Sequence, residues 1–141
     1  MLNVDKTQQV FIVGDGSMFD SAVTKLLTYG TNLRVSHALY SDPPDFLDLI
    51  NWDTLPEAIL INESGLLDAD HILGQVSTRI VSTEPIKLGM RIIIVRLNAN
   101  AMDVYTQPVF VAGKMTGKPR RINIRTGDDL LSVMTSDHSD H

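Results

Sequence analysis

The chain has 141 residues, 43% of them hydrophobic, with 17 acidic side chains against 12 lysines and arginines and a formal net charge of −5. That balance suits one compact domain with an ordinary core and speaks against the protein as a whole being a nucleic-acid binder. The absence of cysteine removes disulfides and thiolate metal sites. No apolar run approaches the roughly 18 residues that span a bilayer. Residues Met1 to Lys6 lack the basic flank and apolar core of a secretory signal, so the expectation is a cytoplasmic protein with no membrane partner.

Gln8–Val13 reads as the first strand, because Val10 to Val13 is an apolar run rich in β-branched and aromatic residues. Gly14, Asp15, Gly16 and Ser17 break it. A helix follows from about Met18 to Thr28, with Phe19, Val23, Leu26 and Leu27 at helical spacing and Gly30 as its stop. Leu33–Leu39 is a second strand. Asp42, Pro43 and Pro44 open a second helix, whose buried stripe is Phe46, Leu49 and Ile50. After a turn over Trp52–Pro56, Ala58 to Ile61 forms a short buried strand that delivers Asn62 and Glu63 to its C-terminal end. In an open α/β sheet that end is where ligands and chemistry sit. Asp68 caps a third helix to about Ile80, with Ile72, Val76 and Ile80 on one face, and Val81–Gly89 is a connection interrupted by Pro85. Arg91–Leu97 is a fourth strand, almost pure Ile and Val and hence buried on both faces. This alternation predicts a parallel sheet with right-handed crossovers.

The rhythm then changes. Asn98 to Asn100 is a turn, Met102–Tyr105 and Pro108–Ala112 read as strands, Met115–Pro119 is a turn, and Arg121–Arg125 alternates as a strand. We read residues 98–125 as a β-hairpin extension flowing into the last sheet strand. Asp128–Met134 is a short closing helix with two acids in its first turn, favourable for the helix dipole. The expectation is a single domain over residues 1–135 with 136–141 as a disordered polar tail. Charge is uneven: no acid lies between Asp103 and Asp128, whereas Lys114, Lys118, Arg120, Arg121 and Arg125 all do. The remaining chain carries seven basic residues against all 17 acids. Such a basic segment on an acidic body could bind an anionic partner or pair with a second copy; the plainer reading is a solvated hairpin with charged edges.

The order of elements and the residues at the strand ends resemble the receiver domain of bacterial response regulators, from Val10 to Met134 with a departure over 98–125. The resemblance implies a three-layer, flavodoxin-like α/β fold, with a mainly parallel five-stranded sheet and the fourth helix replaced by the hairpin. A receiver carries an acidic pair after its first strand to hold Mg²⁺; here Gly14 and Asp15 stand there, so one acid remains, and Asp15 is a weak metal candidate. The phospho-acceptor aspartate at the end of the third strand falls on Asn62. Arg96 stands near the position of the fourth-strand Thr or Ser, and the lysine after the fifth strand is missing. An amide is too poor a nucleophile to accept a phosphoryl group, and the loss of carboxylates weakens a hard-cation site. The resemblance thus implies a pseudo-receiver with a degenerate pocket of Asp15, Asn62, Glu63 and Arg96, no catalytic residue and no cofactor. Glu63 could replace the missing aspartate only if the chain bends, since adjacent strand positions face opposite ways.

Other motifs are weaker. Gly14 to Ser17 between a strand and a helix could cradle phosphate, but it lacks a phosphate-loop lysine and reads more simply as a capped turn. His37 and His71 have no second ligand at metal spacing. Asp137, His138, Asp140 and His141 could hold a transition metal weakly, a frayed tail being the plainer reading. Ser17 and Ser64 give no sign of a triad. The leading expectation is a non-enzymatic signalling module that works by protein contact or homodimerisation without phosphorylation, using the basic segment as its partner-binding candidate. The alternative is a small-molecule or Mg²⁺-nucleotide binding domain built on Asp15, Ser17 and Glu63. Nucleic-acid binding by the basic segment ranks last, because Phe110 is an aromatic candidate but no aromatic interleaves with the cations.

Overall fold

The structure, a computed structural model, describes residues 9–40, 56–63, 68–81, 91–106, 109–111, 114–116 and 118–135. The helix expected from Asp42 with Phe46, Leu49 and Ile50, Ser64, the Pro85 connection and the 136–141 tail lie outside these residues. Where it is described, the first half of the chain follows the expected order of elements. Strand β1 (Gln9–Gly14) leads into helix α1 (Met18–Gly30), followed by β2 (Arg34–Leu39), β3 (Ala58–Glu63), helix α2 (Ala69–Val81) and β4 (Arg91–Arg96). The second half contains β5 (Ala101–Thr106), β6 (Val109–Val111), β7 (Lys114–Thr116), β8 (Arg120–Asn123) and helix α3 (Gly127–Thr135).

The main sheet has six strands in the order β2-β1-β3-β4-β5-β8. The four from β2 to β4 run parallel, and β5 and β8 run antiparallel to their neighbours. The fold is therefore α/β with a mixed six-stranded sheet, which corrects the expected five-stranded, mainly parallel one. The reason is local. Leu97–Ala99 forms one 3-10 turn and Asn100 takes the left-handed conformation (φ 49°), so the chain reverses within four residues of β4. A connection that short joins antiparallel neighbours, whereas a parallel return needs a crossover of about a dozen residues. Met102–Tyr105 consequently lies inside the sheet, between β4 and β8, and is not part of an appended hairpin. The separate hairpin is β6 with β7, and it packs against α2.

Alternation along the strands sends successive side chains to opposite faces, giving two cores. On one face Phe11, Val13, Ile59, Ile61, Ile92 and Ile94 pack with Ala69, Ile72, Leu73 and Val76 of α2. On the other, Val10, Ile12, Leu60, Ile93, Val95, Met102 and Val104 pack with Val23 and Leu27 of α1 and Leu130 and Met134 of α3. The isoleucines of β3 and β4 are fully buried, each contributing about 1.5–3 kcal/mol by leaving water. Buried Arg91 ties α3 to the sheet, its Nη1 donating to the Val133 carbonyl in the last turn of the helix at 2.9 Å; burial lowers its pKa, against the attraction of Glu57. No helix of the described residues is long and apolar enough to cross a membrane.

Candidate functional site

The parallel strands β1, β2 and β3 all end on the side where α1 begins, and the polar side chains gather there. Asp15 ends the first strand's run with an Asx turn, its Oδ1 accepting from the Ser17 amide at 2.9 Å. Gly16 takes a φ of 80°, a conformation that favours glycine. Ser17 then caps α1, its Oγ accepting from the Asp20 amide at 3.2 Å, and Asp20 reaches back to accept from the Gly16 amide at 2.9 Å. This is a reciprocal capping arrangement in which a first-turn carboxylate also complements the helix dipole.

Asp20 does more than cap. It is 1% exposed, lying over β1 between its two neighbouring strands. Its Oδ1 accepts from Asn62 Nδ2 on β3 at 2.8 Å, and its Oδ2 lies 2.7 Å from His37 Nε2 on β2. Gly14 makes room for it: a Cβ there would stand 1.9–2.2 Å from the carboxylate atoms. A buried carboxylate is costly unless hydrogen-bonded, and the Gly16 amide of the β1–α1 turn, Asn62 of β3 and the His37 ring of β2 surround this one. Asn62 is itself fully buried, and its Oδ1 has no hydrogen-bond partner among the described residues.

The opposite face carries a second network. Glu63, one residue beyond Asn62, points toward α2, as the alternation of strand side chains requires. Its Oε2 accepts from the Ala69 amide at the start of α2 at 3.1 Å, and its Oε1 from Arg96 Nη1 at 2.6 Å. Arg96 also donates through Nε to Asp103 on β5 at 2.7 Å, and Asp70 lies 3.9 Å away. Arg121 on β8 donates to both Asp103 oxygens at 2.8 and 3.0 Å. The Arg121 hydrogen bond, with that of Arg96, holds the Asp103 carboxyl below its ordinary value although burial opposes this. Arg96 is raised: burial alone would lower it, and the hydrogen bonds to Asp103 and Glu63 outweigh that. Burial and the nearby Asp103 charge push the Tyr105 phenol up.

The expected pocket of Asp15, Asn62, Glu63 and Arg96 is thus divided between two faces of the sheet. Asn62 joins Asp20 and His37 on the α1 side, while Glu63 and Arg96 form a structural ion ladder on the α2 side. The carboxylate set of the nucleotide reading is divided in the same way, Glu63 lying on the far face from the α1 cap. Asp20 and the role of His37 were missed by sequence reasoning. The available signal was the S-x-x-D spacing of Ser17 and Asp20, together with the 20, 23, 27 spacing that puts Asp20 on the buried stripe of α1. Of the basic residues, Lys114 lies on β7, Lys118, Arg120 and Arg125 are exposed, and Arg121 is half exposed and paired with Asp103. Among the described residues no group of three His, Asp or Glu side chains is arranged to hold a metal ion. Comparison of the chain with protein-family models, with curated proteins and with solved structures gave no match.

Proposed function

We propose that this chain is a receiver-like signalling module that works by protein contact and takes no phosphoryl group. The observation that carries the reading is the state of Asn62. At the strand end where a receiver presents its acceptor carboxylate, this chain has a fully buried amide whose Nδ2 is committed to Asp20. The carboxylate beside it is equally buried, and Gly16, His37 and Asn62 occupy its oxygens. A phosphoryl group needs an accessible nucleophile and a hard cation held by carboxylate oxygens; Asn62 and Asp20, buried and bonded to each other, supply neither. The strand order β2-β1-β3-β4-β5 is that of flavodoxin-like folds and supports the scaffold part of the reading, with β5 reversed.

The test is incubation with a small phosphodonor and Mg²⁺ followed by intact-mass measurement. The expected result is no added phosphate. A stoichiometric, base-labile adduct would overturn the reading, and Asp15, Asp20 and Glu63 would then be mutated to locate it.

A further inference from the structure

Among the described residues, strand β8 lies at one end of the main sheet and pairs on one side only, with β5. The Ile124 amide donates to the Asn100 carbonyl at 2.8 Å, so those opposed residues form a hydrogen-bonded pair. Antiparallel pairs alternate between bonded and non-bonded. Ile122 and Arg120 therefore bond inward to Met102 and Val104, and Arg121 and Asn123 turn their amides and carbonyls outward. No strand among the described residues covers that side. The next outward amide, that of Arg125, is capped by Asp129 Oδ2 at 2.7 Å. The open stretch is short and closed at its C-terminal end.

Its side chains are cationic. Lys118, Arg120, Arg121 and Arg125 are all exposed. Arg121 holds Asp103, whereas Lys118 and Arg120 make no ion pair among the described residues. The acids nearest in sequence are Asp103, already paired, and Asp128 and Asp129 at the start of α3.

We propose that the free edge of β8 takes up an extended, acidic segment of a partner protein as an added antiparallel strand. The inference deepens the protein-contact reading above and rests on it. Main-chain bonds to Arg121 and Asn123 supply the register, as in other cases where a peptide extends a sheet. Carboxylates on the incoming strand meet Lys118 and Arg120, which pair with no acid among the described residues. A second copy of this chain is the poorer occupant: its β8 brings the same cations to the seam, and like charges opposed across a ladder destabilise it.

The experiment uses the full chain and three probes of equal charge: a short peptide alternating glutamate and threonine, the same peptide with proline in place of threonine, and a single-stranded oligonucleotide. The expected result is binding of the first peptide with slowed exchange of the Arg121 and Asn123 amides. Affinity should fall about tenfold or more between low and physiological salt, and similarly in a chain carrying Lys118→Glu and Arg120→Glu. The proline peptide, which cannot complete the ladder, should bind weakly. Absence of binding at low salt, equal binding of the proline peptide without amide protection, or tighter binding of the oligonucleotide would overturn the proposal. So would protection of those amides in a dimer formed without peptide. Phosphate uptake in the mass assay is a separate outcome that removes the protein-contact reading and leaves the peptide result to be judged alone.

Discussion

Because Gly14 has no side chain, the Asp20 carboxylate rests on the β1 backbone with Asn62 on one flank and His37 on the other. Two substitutions probe this arrangement. Gly14→Ala forces a methyl group into the carboxylate and should destabilise the protein by about 3 kcal/mol in denaturant unfolding, an overpacking cost. Paired with Asp20→Ala the clash disappears, so the double variant should lose at least about 1 kcal/mol less than the two single losses added together. Asn62→Asp places two carboxylates where a donor met an acceptor at 2.8 Å. Like charges that close cannot both ionise in a buried site, so one of them titrates far above the ordinary carboxylate range. Its folded pKa being raised, the penalty is present at neutral pH, about 3 kcal/mol, and shrinks as pH falls and the pair takes up a proton. A melting temperature for Asn62→Asp that does not recover relative to the native chain between pH 7 and 5 would refute this account of the Asp20–Asn62 contact.

At the scale of elements, the turn at Leu97 to Asn100 decides more of the architecture than any strand does. Asn100 tolerates the left-handed conformation better than most residues. Asn100→Val should therefore cost about 1–2 kcal/mol, and Asn100→Gly should cost little, as urea midpoints would show. The apolar runs of β1, β3 and β4 were legible in the sequence because continuous Ile and Val at strand length has few other readings. Asp68 was legible as the cap of α2, and its Oδ1 accepts from the Asp70 and His71 amides. Strand direction was not legible from β5 itself, since alternation looks the same in parallel and antiparallel ladders. The information lay in the brevity of the Asn98 to Asn100 turn, which excludes a crossover. At the site, Asn62 was found because strand ends are positions of interest whatever their chemistry. Asp20 was passed over because the stripe of α1 was read from its apolar members alone, and a buried carboxylate is the exception to that reading.

Across the whole molecule, Glu63, Arg96, Asp103 and Arg121 stitch β3, β4, β5 and β8 together on the α2 face. The pH dependence follows from Asp103, held below its ordinary carboxylate value chiefly by the Arg121 hydrogen bond. A depressed folded pKa contributes stability that is fully present above the unfolded value, about 3.9, and is lost as pH falls through the folded one. The native chain should therefore lose stability below about pH 4 more steeply than Asp103→Asn, which should be about 2 kcal/mol weaker at pH 7. Solvent screening at half-exposed Arg121 trims that figure. Parallel slopes for the two chains in urea titrations at pH 7, 4 and 3 would rule this out.

The tight reversal at Asn100 also sets a kinetic order. Pairing β4 with β5 closes a loop of a few residues, whereas the parallel pairings of β1 with β3 and β3 with β4 must first close long crossovers. Loop-closure entropy is lost before such distant contacts return anything, which makes local pairings the early ones. The β4–β5 meander should be the folding nucleus, and the parallel half should condense on it. Truncating Val104 on β5 should then slow folding by most of its effect on stability, while truncating Val10 on β1 should mainly speed unfolding. A chain that replaces a crossover with a hairpin in this way has exchanged a slow topological step for a fast one, and its refolding rate is where that exchange is read.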